Sequence, residues 1–109
     1  MSTKTHFDYI IIGNGLAGLQ LALAFSKDDF FKTKHIALID PDTKTDNDKT
    51  WSFWEENEGL WDFLVHKSWD KALFYSNTMS LELPFEDYMY KSIQSIDFYR
   101  WSKKELEAH

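Results

Sequence analysis

The spacing of apolar and polar residues changes period several times along this chain, and each change marks an element. Asp8 to Ile12 ("DYIII") is a short β-branched run halted by glycine, the pattern of a strand buried on both faces in a parallel sheet. From Leu16 to about Lys27, Leu16, Leu19 and Leu23, with Ala17, Leu21 and Phe25 beside them, recur at helical spacing, so a helix is predicted to follow at once. "HIALID", His35 to Asp40, predicts a second strand, which makes 8–40 a βαβ unit with a right-handed crossover. Pro41 to Lys49 is polar and charged and reads as an exposed loop.

The second half is less regular. Residues 46–63 ("DNDKTWSFWEENEGLWDF") read as an aromatic loop holding Trp51, Trp54 and Trp61. After the tryptophan segment "EGLWDFLVH" predicts a short helix, with Leu60, Phe63 and Leu64 at i, i+3 and i+4. "KALFYS" and "SLELPF" predict a hairpin over 70–85, turning at Asn77 to Met79 and ended by Pro84. Ser95 is placed to cap a last helix over 95–107, with Asp97 in its first turn and Lys103 and Lys104 near its end, charges that suit the helix dipole.

Composition narrows the function classes. The 109 residues, one small domain at most, carry 12 basic and 18 acidic side chains, net −6, and such a chain lacks the basic face that nucleic acid requires. Without cysteine there is no disulfide, thiolate nucleophile or Cys-ligated metal. His6, His35, His66 and His109 are scattered, a pattern that predicts no metal site. Lys4 ahead of an apolar run ending in Ala22-Leu23-Ala24 has the outline of a signal peptide, but Gly13, Asn14, Gly15, Gly18 and Gln20 interrupt that run. The expectation is a cytoplasmic protein with at most peripheral membrane contact.

The interrupting residues have a chemistry of their own. Gly13-Asn14-Gly15-Leu16-Ala17-Gly18 is G-x-G-x-x-G between a predicted strand and a predicted helix, the Rossmann-like arrangement for binding a dinucleotide. Gly13 permits the turn, Gly15 the approach of a pyrophosphate, and Gly18 close packing of helix on strand, while helix amides receive the phosphate oxygens. Asp40 ends the second strand about 20 residues after Gly18, where a carboxylate accepts from ribose hydroxyls and repels a 2′-phosphate. FAD or NAD is therefore expected over NADP.

The tryptophan segment admits a plain reading, aromatic filling for a small core. It also carries a resemblance. "NDKTWSFWE" after a second strand ending in Asp, together with "YMYKSIQSIDFYRW", resembles the lycopene cyclase family, whose loop commonly reads N-D-R-T-W-x-F-W and whose later segment is of the type Y-x-x-I-R-x-x-D-F-Y. The resemblance covers nearly the whole chain. It implies an FAD-dependent lycopene β-cyclase: an isomerase of carotenoid biosynthesis that closes the linear ends of lycopene to β-rings without net oxidation, with the flavin reduced by NAD(P)H. Gly13, Gly15, Leu16, Ala17 and Gly18 match the family's pyrophosphate loop and Asp40 its ribose acid. Lys49 stands where arginine is usual, which loosens any anion contact there, and Ser52 where cysteine is common.

The resemblance also implies that the acid and base carboxylates lie downstream of this chain, so no catalytic residue is expected within it. Glu55, Glu56 and Glu58 read as a solvated loop face. The expected architecture is an incomplete α/β dinucleotide-binding domain: a βαβ unit, a hairpin and a helix. The glycine loop and Asp40 equally suit another FAD-dependent oxidoreductase, such as a carotenoid desaturase, an epoxidase or a geranylgeranyl reductase, or a truncated nucleotide-binding module without catalysis.

Overall fold

The computed structural model describes residues 6–108, so Lys4 and His109 lie outside it. Helix and strand are mixed, and two compact units form: residues up to Lys44 with those from Arg100 onward, and Thr45–Tyr99. Among the described residues no helix is long and apolar enough to cross a membrane.

In the first unit β1 (Tyr9–Ile12) pairs in parallel with β2 (Ile36–Ile39), Tyr9 opposite Ile36 and Ile12 opposite Ile39. Helix α1 (Leu16–Ser26) and a 3-10 turn (Asp29–Phe31) connect them. The register is pinned at both ends. The Asp8 carboxylate accepts the His35 amide at 2.8 Å, and the Gly13 amide donates to the Ile39 carbonyl at 2.7 Å. Ile11, Leu19, Ala22 and Leu23 are buried, and Phe25 stacks on Phe31 at 4.2 Å with Tyr9 against both rings. Burial of β1 on both faces does not occur: Ile10 is 56% and Ile12 84% exposed. Side chains alternate along a strand, and Ile11 is the one on the side of α1, its Cγ2 lying beside Gly18.

The second unit departs further from expectation. Residues 50–56, expected within an aromatic loop, form strand β3 (Thr50–Glu56), and alternate burial along it shows the period of two that a run of large aromatics conceals. The expected helix around Leu60 shrinks to one 3-10 turn (Asp62–Leu64), because Val65 already belongs to β4 (Val65–Trp69). The predicted hairpin is present as β5 (Lys71–Tyr75) and β6 (Ser80–Pro84), and its turn is supplied by Ser76, whose hydroxyl accepts the amides of Thr78 and Met79. The unforeseen β7 (Tyr88–Gln94) is the central strand of an antiparallel sheet in the order β3-β7-β4. Most pairing in the chain is thus antiparallel.

Helix α2 (Ser95–Glu107) follows β7 without a break. Ser95 does not cap it in the expected way. Its hydroxyl donates to Asp48 Oδ1 at 2.9 Å and accepts the Lys49 amide at 3.0 Å, while the Ile96 amide is taken by Asn47 Oδ1 at 3.2 Å. The cap comes from a residue far away in sequence, a pairing that local pattern does not disclose.

What hid β7 was Lys91. Its side chain is 5% exposed, with the ammonium donating to Asp62 Oδ1 at 2.7 Å, Glu55 Oε1 at 2.8 Å and the Asn57 carbonyl at 2.8 Å. Glu55, expected on a solvated loop face, is therefore part of an ion cluster that holds the turn after β3. Gly59 leaves the space that the Glu55 carboxylate occupies, and a Cβ there would require that side chain to shift. The Lys91 hydrogen bond, then the Gly59 amide, hold the Asp62 carboxyl below its ordinary range. A carboxylate with a depressed folded pKa stabilises the fold above its unfolded pKa, and this contribution is lost as pH falls through the folded value. Lys91→Met is expected to lower the melting temperature by more than about 5 °C at pH 7 and to flatten the decline in stability below about pH 4. Thermal melts from pH 7 to pH 3 check both, and an unchanged acid limb would contradict this account of the cluster.

Candidate functional site

The glycine loop opens directly from β1. Gly13 sits at φ +100°, a conformation that other residues adopt only under strain. A Cβ at Gly18 would run into the Gly13 carbonyl oxygen, so Gly18 is required for the loop to fold back onto the helix. Gly15 differs from both. It has an ordinary φ of −75° at the N-cap of α1, and a Cβ there would meet nothing within 4 Å. Nothing in the chain itself explains why Gly15 lacks a side chain.

Leu16, Ala17 and Gly18 form the first turn of α1, whose opening amides have no partners within the helix, and no side chain caps it. Asp40, just past β2, reaches this loop. Its Oδ1 accepts the Asp42 amide at 2.8 Å and its Oδ2 the Asn14 amide at 3.0 Å, and those two bonds, the Asp42 one foremost, hold its carboxyl below the usual range. The acid is ionised at neutral pH and already positions the loop. Each oxygen keeps a lone pair for a further donor. Asn14 Oδ1 is buried with no hydrogen-bond partner, an acceptor left over in the middle of the loop.

Six of the seven residues singled out in the sequence, Gly13, Gly15, Leu16, Ala17, Gly18 and Asp40, thus belong to one unit. Lys49 belongs to the other, where its amide and carbonyl both bond Ser95. Two functions missed by pattern reading lie here: the orphaned acceptor on Asn14 and the use of Asp40 as a brace. The x position of a G-x-G carries no sequence signal of either.

The residues that carried the family resemblance also find their places. Asn47 and Asp48 tie down the first turn of α2, with Tyr99 Oη donating to Asp48 Oδ1 at 3.0 Å. Trp51 meets Phe98 edge-on at 5.6 Å and Tyr99 at 5.9 Å. The "NDKTW" and "DFY" segments, far apart in sequence, are one packed structure. The family model described as "Lycopene cyclase protein" matches residues 8–107. The chain belongs to the lycopene cyclase family. No curated protein and no solved structure matches it. What membership makes intelligible is that much of the selective tryptophan segment is architecture: Trp51 and Phe53 point to the half-buried face of β3 while Trp54, next along the strand and in the opposite phase, is 55% exposed.

Proposed function

We propose that Gly13–Gly18 and Asp40 form the adenine-nucleotide half of an FAD site in a Rossmann-like unit, and that the protein serves as a lycopene β-cyclase, closing lycopene end groups to β-rings without net oxidation. Gly15 carries the reading. It is the one loop glycine that neither backbone conformation nor packing demands, and the room it leaves adjoins the open amide end of α1. A pyrophosphate needs both: close backbone approach and unpaired N–H donors. The free lone pairs of Asp40 add acceptors suited to ribose hydroxyls.

In the cyclisation proposed, a carbon–carbon double bond takes a proton, a tertiary carbocation forms, ring closure follows and a proton leaves. Flavin held by the glycine loop and Asp40 would, once reduced by NAD(P)H, supply negative charge to that cation. The part assigned to this chain is to hold the nucleotide; Glu55 and Asp62 are engaged with Lys91, and Asp40 with the loop. Calorimetric titration of the chain tests the assignment. ADP, NAD and FAD are expected to bind weakly and within a few-fold of one another, since the contacts reach only the part they share. NADP is expected to bind at least about tenfold more weakly, a difference of roughly 1.4 kcal/mol from the carboxylate facing its 2′-phosphate. Equal binding of NAD and NADP, or FAD far tighter than ADP, would overturn it.

A further inference from the structure

The first unit holds a second candidate site, away from the glycine loop. Because β1 and β2 run parallel, the loop and Asp40 lie past their C-terminal ends, while Lys34 comes just before the N-terminal end of β2. Toward that opposite end, between the last turns of α1 and β2, is a cavity of about 550 Å³. Its apolar wall is made by Phe25, Phe31, Ile36, Leu38 and Leu106. Phe25 and Phe31 are stacked at 4.2 Å with Tyr9 against both rings, so that wall is fixed before any guest arrives. A mostly apolar cavity of this volume with a few polar groups has the character of a small-molecule site.

The charges at the cavity are of one sign. Among the described residues, the charged ones lining it are Lys32 and Lys34. Lys32 is paired loosely with Asp29 at 3.7 Å, both side chains being largely in solvent. Half-buried Lys34 sits over the Phe30 ring at 5.3 Å, a contact that engages its charge but none of its N–H donors. The nearby Asp8 carboxyl is held low by the His35 amide first and by Lys34 in smaller part, and its Oδ2 is already taken by that amide. A helix C-terminus ordinarily repels an anion. Here the carbonyls of Leu23, Ala24 and Phe25 are taken up by the Ser26 hydroxyl and by the amides of Lys27 and Asp28. We propose that this cavity binds a single-chain amphiphile ending in a carboxylate, a medium-chain fatty acid, with its chain along Phe25, Phe31, Ile36 and Leu38 and its head on Lys34. The site is separate from the nucleotide reading above and goes beyond it.

The probes are decanoate, ionised at neutral pH and used below its micelle concentration, and uncharged 1-decanol of the same length. By calorimetry the unaltered chain is expected to bind decanoate roughly 3- to 10-fold more tightly than decanol, the range open to a half-exposed ammonium. The chain's net charge of −6 works against any anion, so such a preference has to come from local lysines. In Lys34→Met, which keeps the apolar stem, the preference is expected to fall to near unity while decanol binding stays. Ser26→Trp, which fills the cavity from the end of α1, is expected to weaken both probes by at least about tenfold. Should circular dichroism show that variant unfolded, Lys34→Met decides. Equal binding of the two probes by the unaltered chain overturns the proposal, as does a preference that survives Lys34→Met. Binding to phosphatidylglycerol vesicles without binding of decanoate would also overturn it, by making Lys34 part of a membrane-facing surface. ADP affinity is expected to be the same with and without decanoate, and competition between them would place decanoate on the glycine loop and sink the cavity site. A chain that binds decanoate as described but not ADP would contradict the nucleotide reading alone.

Discussion

Gly15→Val is expected to leave the fold in place and remove nucleotide binding. The position has an ordinary backbone conformation, and a Cβ added there has no protein atom within 4 Å, so the side chain enters space the chain does not use. That space is where a pyrophosphate would approach α1. Losing even one charged hydrogen bond of this kind costs about 1.5–3 kcal/mol, or roughly 10- to 100-fold in ADP affinity. Gly18→Ala, one turn further on, is expected to do the reverse. Its added methyl meets the Gly13 carbonyl, which is backbone and unable to rotate away, and overpacking of this kind costs about 1–3 kcal/mol or more. A melting temperature within a few degrees of the unaltered chain for Gly15→Val and a drop of about 5–15 °C for Gly18→Ala would bear out the division of labour. Undiminished ADP binding by Gly15→Val would refute the site.

Phe98→Ala is expected to cost about 3–5 kcal/mol, a large share of the margin of a chain this small. The ring is 2% exposed and is met edge-on by Trp51 and by Trp61, each at 5.6 Å, with Tyr99 beside it. Its removal leaves a cavity among rigid rings that cannot collapse into the gap. By contrast Trp54→Ala, at an exposed tryptophan three residues from Trp51, is expected to cost under about 1 kcal/mol. Urea unfolding separates the two cases: a shift of midpoint at constant slope for Phe98→Ala and little shift for Trp54→Ala. Similar losses at both positions would mean that Trp54 is part of the same core as Phe98.

The boundaries of β1, α1 and β2 were readable because each rests on short-range chemistry. A β-branched run, a glycine stop and a helical period leave few alternatives over so short a stretch, and the observed ends fall within about two residues of those expected. The hairpin and α2 were readable for the same reason, their apolar alternation or amphipathic period being self-contained. In the tryptophan segment the local signal misled. Large aromatics at consecutive odd and even positions look apolar on every side, so neither face of β3 stands out.

By itself, then, the sequence determined the glycine loop, its acid, the order of β1, α1 and β2, and the family that the paired motifs mark. The tertiary structure alone decided three things. It made Lys91 a buried strand residue, since an ammonium is tolerated inside only when distant acids and a carbonyl supply its bonds. It gave the cap of α2 to Asn47 instead of Ser95, across nearly half the chain. It also sent Trp51 inward and Trp54 outward, because strand phase is set by which residues of β7 lie opposite, and that pairing is a contact no local pattern encodes.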